Sequence, residues 1–557
     1  MSDTSDTTNT SPTWNYKFIT SGAPKQPNES NFKYNVRKLF TTKTLKSLDE
    51  DQKASELKKA LSVYELTMIG LGSIIGTGIF VLTGQAAATR AGPAVVLSFL
   101  LAGLTASFAA LSYSELASMI PISGSSYTYT YATMGELIAW IIGWDLTLEY
   151  LVGAATVAVG WSGYFTRFFY DAFGVQLSSS WTSAPITFNN TSNSFELTPG
   201  AYFNVPAFTI VILLTILLVV GIKESARVNA MVVTVKVIVI IIFVIAAGTR
   251  VNPENYKPFI PPNEGSFSRF GVTGIFAGTS IVFFAFIGFD SISTIAQESK
   301  NPQRDLPLSI LGSFSIVSVI YIAVCIVLTG VVSYKKLDSS APISVAVNET
   351  GMKWLGVVVD LGAVCGLISV ILVSLMGQPR IFLAMAKDGL FLPKIASKVH
   401  PRFGTPYIIT IIGGIICSIA AALFPIDVLA ELTSVGTLLA FFLVNIGVTI
   451  LRFKAPDAPR KFKVPGGPFI IPMIGAALTL VILVTASHAS LVRLFIWMAI
   501  GLIVYSFHGR RHSKANNPEL VNKENKDQDM EMRFLNEDGE QGGNVETSRR
   551  TRPTTNV

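Results

Sequence analysis

The stretch Gly70-Leu-Gly-Ser-Ile-Ile-Gly-Thr-Gly78 decides how this chain folds. It lies inside an apolar run, 64–88. About 20 apolar residues suffice to cross a hydrocarbon core of about 30 Å as a helix. Four glycines in one such span make a poor continuous helix. Two readings are open. The glycines can let the span pack closely on a neighbour. Alternatively the span unwinds at mid-membrane, which is tolerated only where the backbone faces protein or a polar cavity. Unwinding would leave free amides at the start of a half-helix, a positive end suited to a carboxylate.

Outward from this stretch, similar runs recur. Twelve candidate spans lie near 64–88, 92–119, 135–165, 203–222, 227–248, 271–296, 308–332, 355–386, 406–425, 428–451, 468–487 and 490–508. The sixth reads Val282-Phe-Phe-Ala-Phe-Ile-Gly-Phe-Asp290, with Gly288 set among aromatics and an acid after it. Spans one and six correspond if the first ten are two repeats of five. Paired interruptions in corresponding halves point to a transporter site. Five is odd, so the second copy is inverted.

The chemistry of such a site follows from backbone polarity. Freed amides in span one would hold an α-carboxylate. Freed carbonyls near Phe284, Ala285 and Ile287 would accept an α-ammonium. Two half-helix ends of opposite polarity then recognise a zwitterion without a charged side chain. Of Phe283, Phe284, Phe286 and Phe289, two are expected to close over the substrate and two to pack.

Ionisable residues inside a membrane are functional candidates. Lys236 sits deep in span five, where it either snorkels or satisfies carbonyls freed in span one, taking the place of a sodium ion. Asp145 and Glu149, four apart, share a helix face. They can meet a cationic substrate or hydrogen-bond to neighbouring helices, and Asp290 has the same two readings. Glu115 reads as a structural or gate residue, Asp360 and Glu431 as helix-pairing groups.

Composition agrees. The 557 residues are 50% hydrophobic and 14% charged, against about 25% charged in a soluble domain. The expected organisation is an N-terminal tail, 1–55, mostly disordered; a transporter domain, 56–508; and a disordered tail, 509–557. The first 55 residues hold no apolar run of a cleavable signal peptide. Lys and Arg concentrate in the segments that an inward N-terminus makes cytoplasmic, among them Lys58, Lys59, Lys398, Arg402, Arg452, Lys454, Arg510 and Arg511. Both tails are therefore expected in the cytoplasm, with the plasma membrane favoured over the vacuolar one. Sequons at Asn189, Asn190 and Asn348 then fall in outer loops and mark glycosylation.

The basic residues form no compact surface interleaved with aromatics, so nucleic acid is not an expected partner; the amino-acid substrate and the bilayer are. The three cysteines, Cys325, Cys365 and Cys417, lie in apolar runs without metal-ligand spacing. No metal or cofactor is expected, and no constellation of an enzyme emerges.

Five stretches resemble the cationic amino acid transporters of the amino acid–polyamine–organocation superfamily. They are Ile69 through Gly84; Ser112-Tyr-Ser-Glu-Leu-Ala117; Glu224-Ser-Ala-Arg-Val-Asn229; Phe286-Ile-Gly-Phe-Asp290 through Asn301-Pro-Gln-Arg304; and Arg380 through Asp388-Gly389 with His400-Pro-Arg-Phe-Gly-Thr-Pro406. The resemblance covers roughly 55–508. It implies an all-α membrane protein with the LeuT-like five-plus-five inverted repeat, about twelve transmembrane helices, and spans 1 and 6 unwound at mid-membrane. It implies sodium-independent transport of amino acids by alternating access, with arginine, lysine and ornithine as expected substrates. Ile74, Thr77 and Gly78, with Gly76 in the same stretch, would hold the carboxylate. Phe284, Ala285 and Ile287 would hold the amine. Lys236 would stand for sodium, and Glu149 and Asp290 would lie near the side-chain pocket. Small residues around Cys365 and Ser369 in span eight would leave room for a long side chain. Gln297-Glu298 departs from the family's usual pair of glutamates. The alternatives are a proton-coupled carrier of neutral amino acids and an amino-acid sensor signalling through its tails.

Overall fold

The computed structural model describes residues 29–76, 78–189, 194–265, 269–338, 342–430, 435–484, 488–517 and 519. Thr77, Asn190 and Glu431 lie outside them. Two short helices, α1 (Asn31–Leu39) and α2 (Leu45–Lys53), precede α3 (Val63–Ile74). Each opens on a hydroxyl residue: Ser30 Oγ and Thr44 Oγ1 accept amides of their first turns, and Ser62 and Glu65 form a capping box. These caps satisfy amides that a helix start leaves free.

Beyond a break, π-helical turns (Gly78–Leu82), α4 (Thr83–Ala86) and further π-helical turns (Ala87–Ala91) continue the path. The run from Val63 to Met119 is 57 residues long. As one helix it would reach about 85 Å at 1.5 Å per residue, far more than a bilayer core. The chain divides it at Gly92-Pro93, where α5 (Val95–Met119) starts back.

Next come α6 (Ser126–Thr133), α7 (Glu136–Phe173) and a hairpin of β1 (Ile186–Asn189) against β2 (Ser194–Leu197), antiparallel with Ile186 opposite Leu197. Then follow α8 (Val205–Val220), α9 (Ile222–Gly248), α10 (Gly271–Phe283), α11 (Ser291–Thr294) and α12 (Pro302–Val331). The rest comprises α13 (Pro342–Thr350), α14 (Lys353–Lys387), α15 (Pro393–Ala396), α16 (Tyr407–Leu423), α17 (Ile426–Ala430) and α18 (Gly436–Lys454). The last are α19 (Ile470–Val484), α20 (His488–Val504) and α21 (Arg510–His512). Among the described residues, eight helical stretches are long and apolar enough to cross a membrane, and α8, α16 and α19 are shorter apolar helices. Exposed Leu213, Ile216, Ile241, Ile245, Ile415 and Ile419 belong to a broad apolar outer surface. Such a surface needs lipid around it, so this is a multi-pass integral membrane protein.

The interrupted α3 and α10 are enclosed rather than lipid-facing. α3 packs on α9, α12 and α14; α10 packs on α5; and α14 lies along α7. The glycines of α3 divide between the two readings open at the outset. Gly70 and Gly72 are packing glycines: a Cβ there would stand 2.5 Å from Ser313 Oγ and 2.8 Å from Asn229 Oδ1. Gly76 and Gly78 flank the break.

Both described chain ends meet on one face, called here the terminal face: Lys38 Nζ donates to the Asn516 carbonyl at 3.1 Å. Within the tails expected at 1–55 and 509–557, the described residues include α1, α2 and the segment 509–517, whose polar groups meet each other and the helical body. Asn348 is not in a loop. It is exposed on α13, and Thr350 of its sequon is buried with its hydroxyl on the Val347 carbonyl. Asn189 ends strand β1.

Candidate functional site

The break in the first span begins at Ile75, whose backbone is extended (φ −76°, ψ 93°). Helix termini leave carbonyls without intrahelical partners. Here Lys236, fully buried on α9, supplies the donor: its Nζ lies 3.0 Å from the Gly72 carbonyl, 2.8 Å from that of Ile75 and 2.7 Å from Ser369 Oγ. Three acceptors match the three hydrogens of an ammonium. Lys236 therefore does not snorkel. Ser369 of α14 also reaches the Gly72 and Gly366 carbonyls, at 2.9 and 2.7 Å. It belongs to this knot and is not a wall of the pocket.

The second break follows a 3₁₀ turn, Phe284–Phe286. Ile287 is extended and Gly288 has φ +124°, a region open in practice only to glycine. The carbonyls beyond it find partners nearby: Ser291 Oγ donates to Gly288, Ser293 Oγ to Asp290 and Thr294 Oγ1 to Ser291, at 2.5 to 2.6 Å. The breaks cross closely, since a Cβ on Gly78 would sit 2.6 Å from Ala285 Cα. Tyr321 of α12 spans them. Its hydroxyl lies 2.8 Å from the Ile74 carbonyl and 2.9 Å from that of Ala285. It has one hydrogen to give, so it serves one at a time.

Beside the breaks is a cavity of about 350 Å³. Ile74, Gly76 and Gly78 line it from the first span, Phe284, Ile287, Gly288 and Asp290 from the second. Glu149 lines it from α7. Glu149 Oε1 accepts from Thr437 Oγ1 on α18, and Oε2 has no partner among the described residues. Asp290 Oδ2 accepts from Tyr150 Oη at 2.9 Å. The structure thus brings together most of the residues singled out from sequence. Ala285 is at the crossing but not in the wall. Asp145, one turn before Glu149, is buried against Gly436 and does not line the cavity. Of the four phenylalanines only Phe284 lines it; Phe283, Phe286 and Phe289 are core.

Reading from sequence alone missed Tyr150, Gly153, Thr156 and Val157, which line the cavity along α7. Gly153, Thr156 and Val157 follow Glu149 at helical spacing, a signal that could have found them; Tyr150, adjacent to Glu149 in the chain, carries no such signal. It also missed Val370 and Ser374 of α14, the side-chain wall it had placed near Cys365 and Ser369. Nothing in sequence marks Tyr321.

α7 starts at the terminal face, so Thr156 and Val157 lie beyond Glu149 toward the opposite face, and the cavity extends that way. Toward the terminal face the path is shut. Phe289 stacks on Phe441 with centroids 5.0 Å apart, and Tyr113 meets Phe289 edge-on. Below them Arg380 of α14 and Glu298 form a buried bidentate pair: Nε to Oε2 at 3.1 Å and Nη2 to Oε1 at 2.9 Å. Burial pushes the Glu298 carboxyl up, against the pull of Arg380. The Glu298 carbonyl takes the amides of Ala60 and Leu61, tying the entrance of the first span to the exit of the sixth. A further cavity of about 30 Å³, water-sized, separates Arg380 from Lys43, Asp51 and Asp388.

Elsewhere, Glu115 is structural: Arg452 grips it at 2.9 Å and the Val464 amide donates at 2.7 Å. Asp360 lies 3.8 Å from Arg167, pairing α14 with α7. No group of three or more metal-ligating side chains occurs among the described residues.

The sequence profile of the amino acid permease family matches residues 61–506. The chain is 44% identical to the branched-chain amino acid permease BcaP of Bacillus subtilis, over 83% of this chain and 95% of that protein. It is 40% identical to the methylthioribose transporter of the same organism, over 86% and 99%. It is 39% identical to the vacuolar cationic amino acid transporter 2 of Arabidopsis thaliana, over 76% of this chain and 64% of that one. A cavity walled by two interrupted spans, in a chain matched along its whole apolar body, identifies it as a member of the amino acid permease family of the amino acid–polyamine–organocation superfamily, whose members are transporters and not enzymes.

Proposed function

We propose that this permease is a sodium-independent secondary transporter of cationic amino acids, such as arginine, lysine and ornithine, working by alternating access. One observation carries the reading. Two carboxyl groups, Glu149 and Asp290, line the cavity, with no basic side chain among its described lining residues. A cationic side chain would complete Glu149 Oε2, which has no partner among the described residues. The half-helix beginning at Gly78 would hold the substrate carboxylate with its first amides, together with Ile74, Gly76 and Thr77 just before it. The carbonyl ends of Phe284, Ala285 and Ile287 would take the ammonium. Lys236 sits between the Gly72 and Ile75 carbonyls and would stand there in place of a sodium ion, so transport would not need sodium.

In this reading the architecture is the LeuT-like five-plus-five repeat with about twelve crossings, α3 through α9 forming one half and α10 through α18 the other. Both chain ends would face the cytoplasm, in the plasma membrane. Asn189, Asn190 and Asn348 would carry glycans on the opposite side.

A second reading is a carrier of neutral, branched-chain amino acids, coupled to protons. Apolar walls at Leu82, Val157 and Val370 favour it, as does the 44% identity to a permease of that name. Competition in proteoliposomes separates the two: labelled arginine against lysine, leucine, alanine and putrescine, with sodium or choline outside and with or without a pH gradient. Glu149→Gln and Asp290→Asn are each expected to weaken arginine uptake about tenfold more than leucine uptake, roughly the 1.4 kcal/mol of one charged contact. Equal loss for both substrates would remove the argument for a cation.

A further inference from the structure

The two chain ends form a joint on the terminal face, and its centre is Glu136, the buried first residue of α7. Its carboxylate accepts from Tyr505 Oη at 2.7 Å, from Tyr131 Oη and Asn516 Nδ2 at 2.9 Å each, and from Ser513 Oγ. Its own amide donates to the Thr41 carbonyl. Asn516 returns to the N-terminal segment, giving Nδ2 to the Lys38 carbonyl and accepting from Thr41 Oγ1.

The neighbouring Lys43 then pairs with Asp51 at 2.8 Å and with Asp388, next to the end of α14. Burial opposes the Lys43 charge, but Asp388 and Asp51 hold its pKa above the ordinary value. Gln297, beside the gate residue Glu298, donates to the Asp51 carbonyl at 3.3 Å. The joint therefore sits over the Glu298–Arg380 gate and is bonded to the helix that carries Arg380.

Ser513 is the fourth residue of Arg510-Arg511-His512-Ser513. Both arginines are exposed while Ser513 is completely buried. Two basic residues at positions −3 and −2 form a charge pattern of the kind that directs a protein kinase to a serine. We propose that Ser513 is a phosphorylation site for a basic-directed protein kinase, and that a phosphoryl group there releases both chain ends from the terminal-side gate. The proposal rests on the reading that these ends face the cytoplasm.

In the reaction ATP gives its γ-phosphoryl group to Ser513 Oγ. A new P–O bond forms, the bond to the β-phosphate breaks, ADP leaves, and the hydroxyl proton passes to solvent. The product carries about two negative charges where a hydroxyl gave its hydrogen to Glu136 Oε2. An ionised carboxylate offers no donor in return, and the site has no room for three more oxygens. Docking and phosphorylation thus exclude one another. Because Ser513 is hidden while docked, the kinase reaches it only after the ends have come away.

The test uses the full chain in nanodiscs, the catalytic subunit of a basic-directed kinase and ATP. Phosphate is located by peptide mass spectrometry, and hydrogen exchange is followed over 31–53 and 509–517. The expected result is one phosphate at Ser513 and none in Ser513→Ala. Incorporation should be several-fold faster in Lys43→Ala, which loosens the joint without touching Ser513; Asp51→Asn provides a milder second loosening. After phosphorylation, protection over 31–53 should fall. Absence of phosphate at Ser513 in Lys43→Ala and Asp51→Asn overturns the site. Equal rates in the wild type and both variants overturn the hidden-serine argument. Unchanged protection at 31–53 in the phosphorylated protein overturns the release. None of these readouts involves a substrate, so the transport reading can fail separately. Protease cleavage of the tail in sealed against opened vesicles reads sidedness by itself.

Discussion

The two interrupted spans solve the same problem in different ways. A helix broken inside a membrane exposes carbonyls that water cannot reach, and each unmet group costs several kcal/mol. The break after Ile74 is propped from outside, by Lys236 from α9 and Ser369 from α14. The break at Phe284–Asp290 is propped mainly from within, by hydroxyls of Ser291, Ser293 and Thr294 on carbonyls three residues back. The first therefore depends on how other helices pack, whereas the second carries much of its support in its own sequence.

The contrast is open to attack by mutation. Lys236→Met should have the largest effect. It leaves the buried Ile75 carbonyl unmet and takes from the Gly72 carbonyl one of its two donors, on the order of 2–4 kcal/mol together. Uptake into proteoliposomes should fall to background and thermal melting in nanodiscs should shift down. Near-normal uptake would mean that the first break holds without its external prop.

Gly288→Ala comes next. A side chain at φ +124° costs roughly 1–3 kcal/mol, and its Cβ would stand 2.7 Å from Ser73 Oγ. Uptake should drop about tenfold, each decade corresponding to roughly 1.4 kcal/mol. A normal rate in this variant would remove the constraint placed on the second break.

Tyr321→Phe takes one hydrogen from a pair of acceptors, so a loss of about 1 kcal/mol and a fall in uptake of a few-fold are expected. Ser291→Ala should be mildest, because one local hydroxyl among three is lost and the fold around it stays. Initial uptake within about twofold of wild type is the expected reading. If Ser291→Ala proved as damaging as Lys236→Met, the distinction between external and internal support would be wrong.

The same contrast explains what could be read in advance. Apolar length found the helices, because a bilayer imposes length and hydropathy on each pass. Gly76, Gly78 and Gly288 marked the breaks, because backbone that leaves the helix is recorded in residue type. Lys236 was found because a charge deep in an apolar run demands a partner. Tyr321 was not, since a tyrosine in an apolar helix is common and only the crossing of α3 and α10 gives its hydroxyl two targets. Val370 and Ser374 were missed for a related reason: Ser369 looks like a pocket wall until its bond to Lys236 turns it inward. Helices α1 and α2 and the segment 509–517 lie within tails, 1–55 and 509–557, whose composition reads as mostly disordered in the first and disordered in the second. Each is polar alone, and its partners are the other end and groups of the helical body such as Glu136 and Asp388, far away in the chain, so no local window contains the cause.

Tyr321 leaves one more consequence. With two carbonyls in reach and one hydrogen, its bond can pass from one interrupted span to the other with the count of hydrogen bonds unchanged. If the first span moves away from the sixth, the hydroxyl can follow either and the tally stays the same. It is then a shared pivot for the two interrupted spans, and phenylalanine there would leave them in contact without it.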